Sequence, residues 1–352
     1  MAERKANEVF SFDRGQNSQD LAKLVKKSDF VFHLAGVNRP KDGAEFRTGN
    51  VELTEALAKE IQITGRQIPL VFTSSAQANL GNEYGQSKRQ AEEVLQRLQH
   101  DHGSAVYIYR LPGVFGKWCR PSYNSVVATF CHKVARNLPI EIHNSSASLS
   151  LVHVDAVIRS FLQILDSKEL APKKGNFVRV SPQYETTVGD VARILNKFRQ
   201  SRESLISERT GEGLVRDLYG TFLSYLPAEQ FVYKVPIYHD CRGDFAEVLK
   251  TKDSGQFSYF SIKPGGTRGS HYHHRKSEKF LPLTGKVQMR FRHLVTGETS
   301  AVVVEGGSGT IIESVPGWVH DITNISQKDA TVMLWANEIY DPNDPDCIPC
   351  EV

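Results

Sequence analysis

The chain contains no apolar run approaching the length of a membrane span, and its opening MAERKANEVF lacks the hydrophobic stretch of a secretory signal. Membrane insertion and export are therefore not expected, and a cytosolic protein is. Cysteine is scarce and odd in number, 5 in all, at Cys119, Cys131, Cys241, Cys347 and Cys350. Thiols scattered in this way do not make a disulfide framework. Cys347 and Cys350 form one CxxC at the far C-terminus, with no second pair and no following helix, which disfavours a zinc or redox role. An excess of one charge is lacking as well. The 43 basic and 40 acidic residues leave a net +3, too little for a surface that grips nucleic acid or acidic lipid. No internal repeat or low-complexity tract is visible.

What is present is an ordinary globular composition, 40% hydrophobic and 24% charged, in 352 residues, enough for two domains with separate cores. The first 230 or so residues alternate strand-like and helix-like segments, the pattern of a parallel sheet with crossover helices. Strands are expected at Glu8 to Phe12, Phe30 to Leu34, Pro69 to Phe72, Val106 to Tyr109 and Ser150 to Val154. Helices are expected at Ser18 to Lys27, Asn50 to Ile63, Tyr84 to Gln99 and Asp155 to Leu165, the last capped by Asp155. From about Phe231 helical periodicity fades. Val287, Met289 and Phe291 then alternate with Gln288, Arg290 and Arg292, as a half-buried strand requires. The fold expected is α/β plus all-β: residues 1–230 as a Rossmann-like parallel-sheet domain, and residues 231–352 as a β-barrel.

Two constellations carry chemistry. Gly265, His271, His273, Glu278 and Gly285 stand at the spacing G-x5-H-x-H-x4-E-x6-G, with His320 further on. Residues two apart on a strand share a face, so His271 and His273 can aim at one point, with Glu278 returning from the next strand. Three His and a carboxylate suit a divalent metal, Zn first among Zn, Mn, Fe and Ni. The alternative is a solvated basic loop around His274 and Lys276, which the full spacing disfavours. The second constellation is Ser74 and Ser75 at the end of a buried strand, followed by Tyr84 and Lys88 at the start of a helix. Tyr84 and Lys88 lie on one helix face, where an ammonium favours the phenolate and a serine hydroxyl can hold a carbonyl oxygen. A lone YxxxK arises by chance about once in a chain with 12 Tyr; the strand, serines, tyrosine and lysine in this order are more specific.

The His-rich spacing resembles the first motif of the cupin barrels. Gly309, Gly317, His320 and Asn324 resemble their second, with Val315 at the usual proline and Pro316 shifted by one. The serine, tyrosine and lysine resemble the extended short-chain dehydrogenase/reductase family, with Ser75 matching best and Ser74 as the fallback. That resemblance implies nicotinamide-dependent hydride transfer. It places Leu34, Ala35 and Gly36 (after His33) and Lys88 beside the cofactor, makes Asn50 the helix-start asparagine, and puts Arg110 in the substrate segment, where Gly113 replaces the usual asparagine. Lys117 and Arg120 are expected to neutralise a diphosphate. Arg14 suits a 2′-phosphate and Asp13 beside it a ribose hydroxyl of NAD; the family resemblance decides for NADPH. Reductases of this family open with a strand and a glycine-rich turn for the pyrophosphate, and no such turn stands before Glu8 to Phe12, which reads as the second strand. The expectation is that further sequence precedes Met1.

As a whole the chain resembles the CapF-type enzymes of capsular-polysaccharide and O-antigen sugar synthesis. Leu34-Ala-Gly-Val-Asn-Arg-Pro40, Phe115-Gly-Lys-Trp-Cys119, Tyr123-Asn-Ser-Val126, Ser224-Tyr-Leu-Pro227 and Asp341-Pro-Asn343 carry the likeness. It implies a bifunctional enzyme that epimerises C3 of a UDP-4-keto-6-deoxy-N-acetylhexosamine in the barrel and then reduces C4 with NADPH. The product would be UDP-N-acetyl-6-deoxy-L-talosamine, on the route to UDP-N-acetyl-L-fucosamine. Asp240 to Glu247 resembles the opening of deoxysugar 3,5-epimerases, and Lys279, Lys286 and His293 are candidates for the group that moves the C3 proton. Two other readings stand beside this one, a reductase-dead protein whose cupin binds sugar or dimerises, and an iron-dependent cupin dioxygenase. A homodimer is the default assembly.

Overall fold

The computed structural model describes residues 8–167, 177–231, 233–274 and 276–352. The expected region before Glu8 lies outside the described residues. Helix α1 (Ser18–Lys27) opens on a capping box, in which the Asn17 side chain accepts from the Gln19 and Asp20 amides while Asp20 accepts from the Asn17 amide. Three parallel strands follow, β1 (Val31–His33), β2 (Leu70–Ser75) and β3 (Val106–Leu111), in the order β1-β2-β3. The first crossover holds α2 (Ala44–Phe46), a π turn Arg47–Glu52 and α3 (Leu53–Ile63); the second holds a 3-10 turn Ala76–Asn79 and α4 (Glu83–His102). Because strand residues alternate faces, Leu70 and Phe72 pack with Leu57, Ile61, Leu95 and Leu98 under the helices, while Val71 packs with Tyr109, Val152 and Phe161 on the other side.

A second small sheet continues the unit, with β4 (Gly113–Phe115) parallel to β5 (Ser148–His153) and β6 (Tyr184–Thr187) antiparallel to β5; α5 (Val126–Ala135) and α6 (Val154–Asp166) connect and cover it. Two local expectations change. The cap of α6 is His153, whose Nδ1 accepts the Asp155 amide, so Asp155 sits in the first turn rather than at the cap. Glu8 to Phe12 is not a strand: among the described residues β1 pairs with β2 alone, and no strand beyond it offers a ladder for that segment.

The compact units divide at Ala192/Arg193, with Val134–Leu138 joining the second, rather than near residue 230. The reason is that the helical segment after Ala192 is anchored to the barrel. Helix α7 (Val188–Ser204) buries Leu195 and Phe198 against Leu218 and Phe222 of α8 (Gly213–Leu223), and β7 (Ile206–Ser207) pairs parallel to β9 (Gly243–Thr251). Lys252 bonds Glu208 at 2.6 Å.

The rest is two facing antiparallel sheets. One runs β15 (Ile312–Ser314), β12 (Glu278–Thr284), β17 (Ala330–Ala336), β10 (Gln256–Ile262), β9 and β7, with β8 (Tyr238–Asp240) on β9. The other runs β14 (Thr299–Glu305), β13 (Lys286–His293), β16 (Trp318–Asn324), β11 (Thr267–Tyr272) and β18 (Ile348–Pro349). Phe260, Ile262, Phe280, Val287, Met289, Ile322 and Val332 fill the space between them. The motif glycines Gly265 and Gly285 sit in turns at φ +73° and +77°, which a side chain would strain. Among the described residues no helix is long and apolar enough to cross a membrane.

One charged group is locked into the first unit. Glu92 on α4 is 2% exposed; it accepts the Ser74 hydroxyl and is held by Arg110 of β3 through Nη2 at 2.6 Å and Nε at 3.0 Å. Replacing Glu92 by Ala is expected to cost about 3 kcal/mol, because it strands the guanidinium and leaves Ser74 without its acceptor. Urea unfolding checks this, and a loss below ~1 kcal/mol would show the cluster to be incidental.

Candidate active site and metal centre

The hydroxyl constellation assembles where β2 ends and α4 begins. Helix α4 is capped by Asn82, whose side chain accepts the Gly85 amide at 2.7 Å. A Cβ on Gly85 would fall 2.0 Å from the Gln77 carbonyl, so only glycine lets this first turn lie against the 3-10 turn that follows Ser75. That close approach brings Tyr84 to Ser75, near enough for the serine to work against the effect of burial on the phenol, and Ser75 accepts the Gln77 amide at 3.1 Å. Ser74 is turned the other way, to Glu92, so Ser75 is the serine at the tyrosine. Burial raises the Tyr84 pKa and Ser75 only partly offsets this, so the phenol holds its proton.

Lys88 is 4% exposed, with Nζ 4.4 Å over the Phe72 ring. Burial pushes its pKa down to about 8, against the pull of Glu92 one turn along the helix. A buried network frames it. Asn50, in the π turn, bonds both polar groups of Val37 (2.7 Å from the amide, 2.9 Å to the carbonyl) and donates to Ser87 at 2.9 Å. Thr54 donates to the Asn50 carbonyl at 2.6 Å, so it accepts from His33 Nε2 at 2.8 Å. Burial, then the Lys88 charge, push His33 down to about 3 and keep it neutral. The loop after β1 is thereby pinned: a Cβ on Gly36 would come 2.8 Å from Asn50 Oδ1 and 3.4 Å from Lys88 Nζ.

The remaining expected positions differ in what they do. Leu34, Ala35 and Gly36 are exposed at the end of β1, as residues facing a ligand would be. Arg110 directs its guanidinium to Glu92 and to Asn79 Oδ1 at 2.6 Å, and lies 4.3 Å over Phe177, so its observed work is to tie β3 to α4. Lys117 pairs with Asp155 at 3.0 Å, and Arg120 lies 5.5 Å over the Tyr123 ring, both on the surface. Arg14 is exposed in the turn before α1, with its amide bonded to Asp13. Among the described residues no glycine-rich turn of the kind that cradles a pyrophosphate is present.

In the second unit, one ligand atom each from His271, His273, Glu278 and His320 lie within 4.8 Å of one another. A bulge after Gly269, with Gly269 at φ +96° and Ser270 at φ +63°, shifts β11 so that His271 stands opposite His320. His273 Nδ1 donates to the Asp346 carbonyl and His320 Nδ1 to the Trp318 carbonyl at 3.3 Å. A carbonyl only accepts, so both imidazoles turn a bare Nε2 toward Glu278 Oε2, at 3.2 and 3.3 Å. Nε2 of His271 and His320 are buried without hydrogen-bond partners. Lone pairs converging on a carboxylate repel unless a cation lies between them; protonating the rings would put more positive charge in a buried site than one carboxylate balances. The set therefore fits a divalent metal. Burial works to raise the Glu278 pKa, and the positive charge of Lys276 opposes it. Burial, then His320, push His271 down to about 4, leaving it neutral.

Lys276 is buried rather than solvated, 3.5 Å from Glu278 Oε1. The candidate proton carriers are engaged elsewhere. Lys279 pairs with Glu313, Lys286 lies 3.8 Å from Glu305, and His293 accepts the Thr296 amide at 3.1 Å beside the Trp318 ring. Cys347 and Cys350 flank β18, an extended segment that holds them apart. Sequence reasoning missed Glu92, Lys276 and Asp346. A charged residue at an apolar helix position was a signal for the first; Asp346 had none.

The parallel-sheet unit with Ser75, Tyr84 and Lys88, followed by the double-sheet unit with its ligand quartet, defines a Rossmann-like short-chain reductase fold joined to a cupin barrel. Residues 4–178 match the NAD dependent epimerase/dehydratase family, and residues 238–348 match the polysaccharide biosynthesis C-terminal domain. The chain is 51% identical over its whole length to a UDP-2-acetamido-2,6-beta-L-arabino-hexul-4-ose reductase of Pseudomonas aeruginosa, covering 94% of that protein. It superposes along its whole length on the capsular polysaccharide assembling protein CapF of Staphylococcus aureus with a TM-score of 0.89 at 37% identity, covering 95% of that chain. A UDP-glucuronic acid 4-epimerase of Bacillus cereus shares the fold over 60% of the chain and 79% of its own length, at 17% identity and a TM-score of 0.51. The chain belongs to the CapF-type family.

If the quartet holds a metal, purified protein carries about one divalent ion per chain, and Glu278→Gln or His320→Ala loses most of it. Elemental analysis reads this directly; undiminished metal in both variants would remove the assignment.

Proposed function

We propose that the chain is a bifunctional nucleotide-sugar enzyme. Its barrel epimerises C3 of a UDP-4-keto-6-deoxy-N-acetylhexosamine, and its parallel-sheet unit then reduces the C4 ketone at the expense of NADPH. The product is UDP-N-acetyl-6-deoxy-L-talosamine, a precursor of UDP-N-acetyl-L-fucosamine. The observation that carries the reading is Tyr84, whose proton burial helps to retain, close to Ser75 and on the same helix face as a buried Lys88. The close relative named as a hexul-4-ose reductase supports the substrate class.

When bound, the nicotinamide supplies the hydride for C4. Tyr84 gives its proton to O4 as that oxygen gains charge, and Ser75 orients the oxygen. Lys88 lowers the cost of the resulting phenolate and holds the nicotinamide ribose, while Leu34, Ala35 and Gly36 form the edge against which the cofactor lies. Lys117 and Arg120 approach the diphosphate, for which Lys117 would exchange Asp155. Arg14 selects the 2′-phosphate. In the barrel, His271, His273, Glu278 and His320 would hold a divalent metal, with Zn the first candidate, which would supply Lewis-acid polarisation of the ketone. The protein works in the cytoplasm, as a homodimer.

Tyr84→Phe should slow NADPH consumption by roughly 100-fold or more and leave metal content unchanged; retained turnover in a stopped assay with the keto-sugar would exclude the assignment. The pH profile has a definite sign. The Lys88 ammonium is present below a pKa of about 8 and lost above it, so kcat/KM for reduction should hold below that value and fall as pH rises through it. A rate that climbs across the same range would contradict the role given to Lys88.

A further inference from the structure

We propose that Asp346 is a positioning residue of the barrel's metal centre, so that metal binding and docking of the last strand stabilise one another. This rests on the metal reading of the quartet given above. The Asp346 carboxylate accepts the His274 amide through Oδ1 and the Lys276 amide through Oδ2, each at 2.9 Å, and its own carbonyl accepts His273 Nδ1. A single residue near the C-terminus therefore closes three bonds on the short segment between two ligands, His273 and Glu278. The carbonyl does more than restrain the ring. By fixing the proton on Nδ1 it turns the Nε2 lone pair toward the point that Glu278, His271 and His320 also face.

The next residues extend the hold to the other arm of the HxH pair. Strand β18 lies antiparallel to β11, with Pro349 opposite His271 and Ile348 opposite Tyr272, and the Cys350 amide donates to the Ser270 carbonyl at 3.0 Å. Ser270 is the residue of the bulge that sets His271. His273 is thus aimed by the main-chain carbonyl of Asp346, and His271 by a backbone ladder three residues further on. Both contacts come from the last seven residues of the chain. Asp346 itself stands at φ +34°, a conformation that a residue other than glycine keeps only where its surroundings fix it.

Because the two events share bonds, linkage requires each to strengthen the other. The test uses the full chain. Metal affinity is measured by competition with a chromophoric chelator for wild type, Asp346→Ala and Asp346→Asn. Hydrogen exchange at the Cys350 amide is followed in wild type with zinc and after its removal. Asp346→Ala should weaken metal binding by about 10–100-fold. Both variants keep the main-chain carbonyl; Asp346→Asn, which also keeps one side-chain acceptor oxygen, should fall between, and keeps the test informative if the alanine variant folds poorly. Removing zinc should speed exchange at Cys350. Equal affinity in wild type and Asp346→Asn, with exchange at Cys350 indifferent to zinc, would overturn the positioning role while leaving the metal site standing. Failure of wild type itself to bind zinc or any other divalent ion tested would overturn the metal reading, and this proposal with it.

Discussion

A carboxylate taken out of water must be compensated in place, and the two buried glutamates among the described residues meet that constraint in opposite ways. Glu92 is completed by protein alone: a two-nitrogen contact from Arg110 and the Ser74 hydroxyl use up its oxygens. Such closure makes it part of the scaffold. Glu278 is not completed. One oxygen has a lysine at 3.5 Å, while the other faces two imidazole nitrogens whose protons are committed to carbonyls behind them. A buried polar cluster left open in this way needs a further partner, and the geometry admits a cation. The difference between scaffold and site lies in whether the protein finishes the account of charge by itself.

The closed cluster also shapes the open chemistry near it. Glu92 stands one helical turn from Lys88, and its charge works against the burial that drives the lysine toward neutrality. Burial outweighs that charge, so the lysine pKa settles low, near the physiological range. On the preceding turn Tyr84 is moved the other way and kept protonated. A phenol that retains its proton beside an ammonium that can stabilise its conjugate base is arranged for giving a proton to an oxygen. The tight contact at Gly85 is what allows it, since any Cβ there would push α4 off the turn that carries Ser75.

Much of this was legible in the residues because periodicity and spacing report directly on which side chains share a face. The Tyr84/Lys88 pair, the HxH pair and the run of strands β1 to β3 follow from periods of 3.6 and 2. Helix α1 falls on the expected residues for the same reason, with its capping box at Asn17. What was illegible depended on partners distant in the sequence. Glu8 to Phe12 has a strand's composition but no neighbour to pair with. The boundary moved from 230 to 192 because β7, two residues long, finds β9 some forty residues later. Arg110 matched a family segment, yet its guanidinium answers Glu92, and Asp346 lies 73 residues from the histidine it orients. Spacing cannot report such pairs, because no local rule links their positions.

The two sites also differ in what the proposed chemistry asks of them. Epimerisation removes a proton from carbon and returns one to the opposite face, so it has no net proton demand and gains from anything that stabilises negative charge on the ketone oxygen. A barrel whose open carboxylate and imidazoles suit a cation would meet the demand for negative-charge stabilisation, while a base on one face of C3 and a proton donor on the other are still required. Reduction consumes one proton and one hydride each time, and the oxygen formed must be left neutral. It therefore calls for a donor that begins protonated, which is the state burial imposes on Tyr84. The ketone that acidifies C3 is destroyed by reduction at C4, so the proton-neutral step must come first. Each unit's electrostatics suit its own step of that sequence and would serve the other poorly.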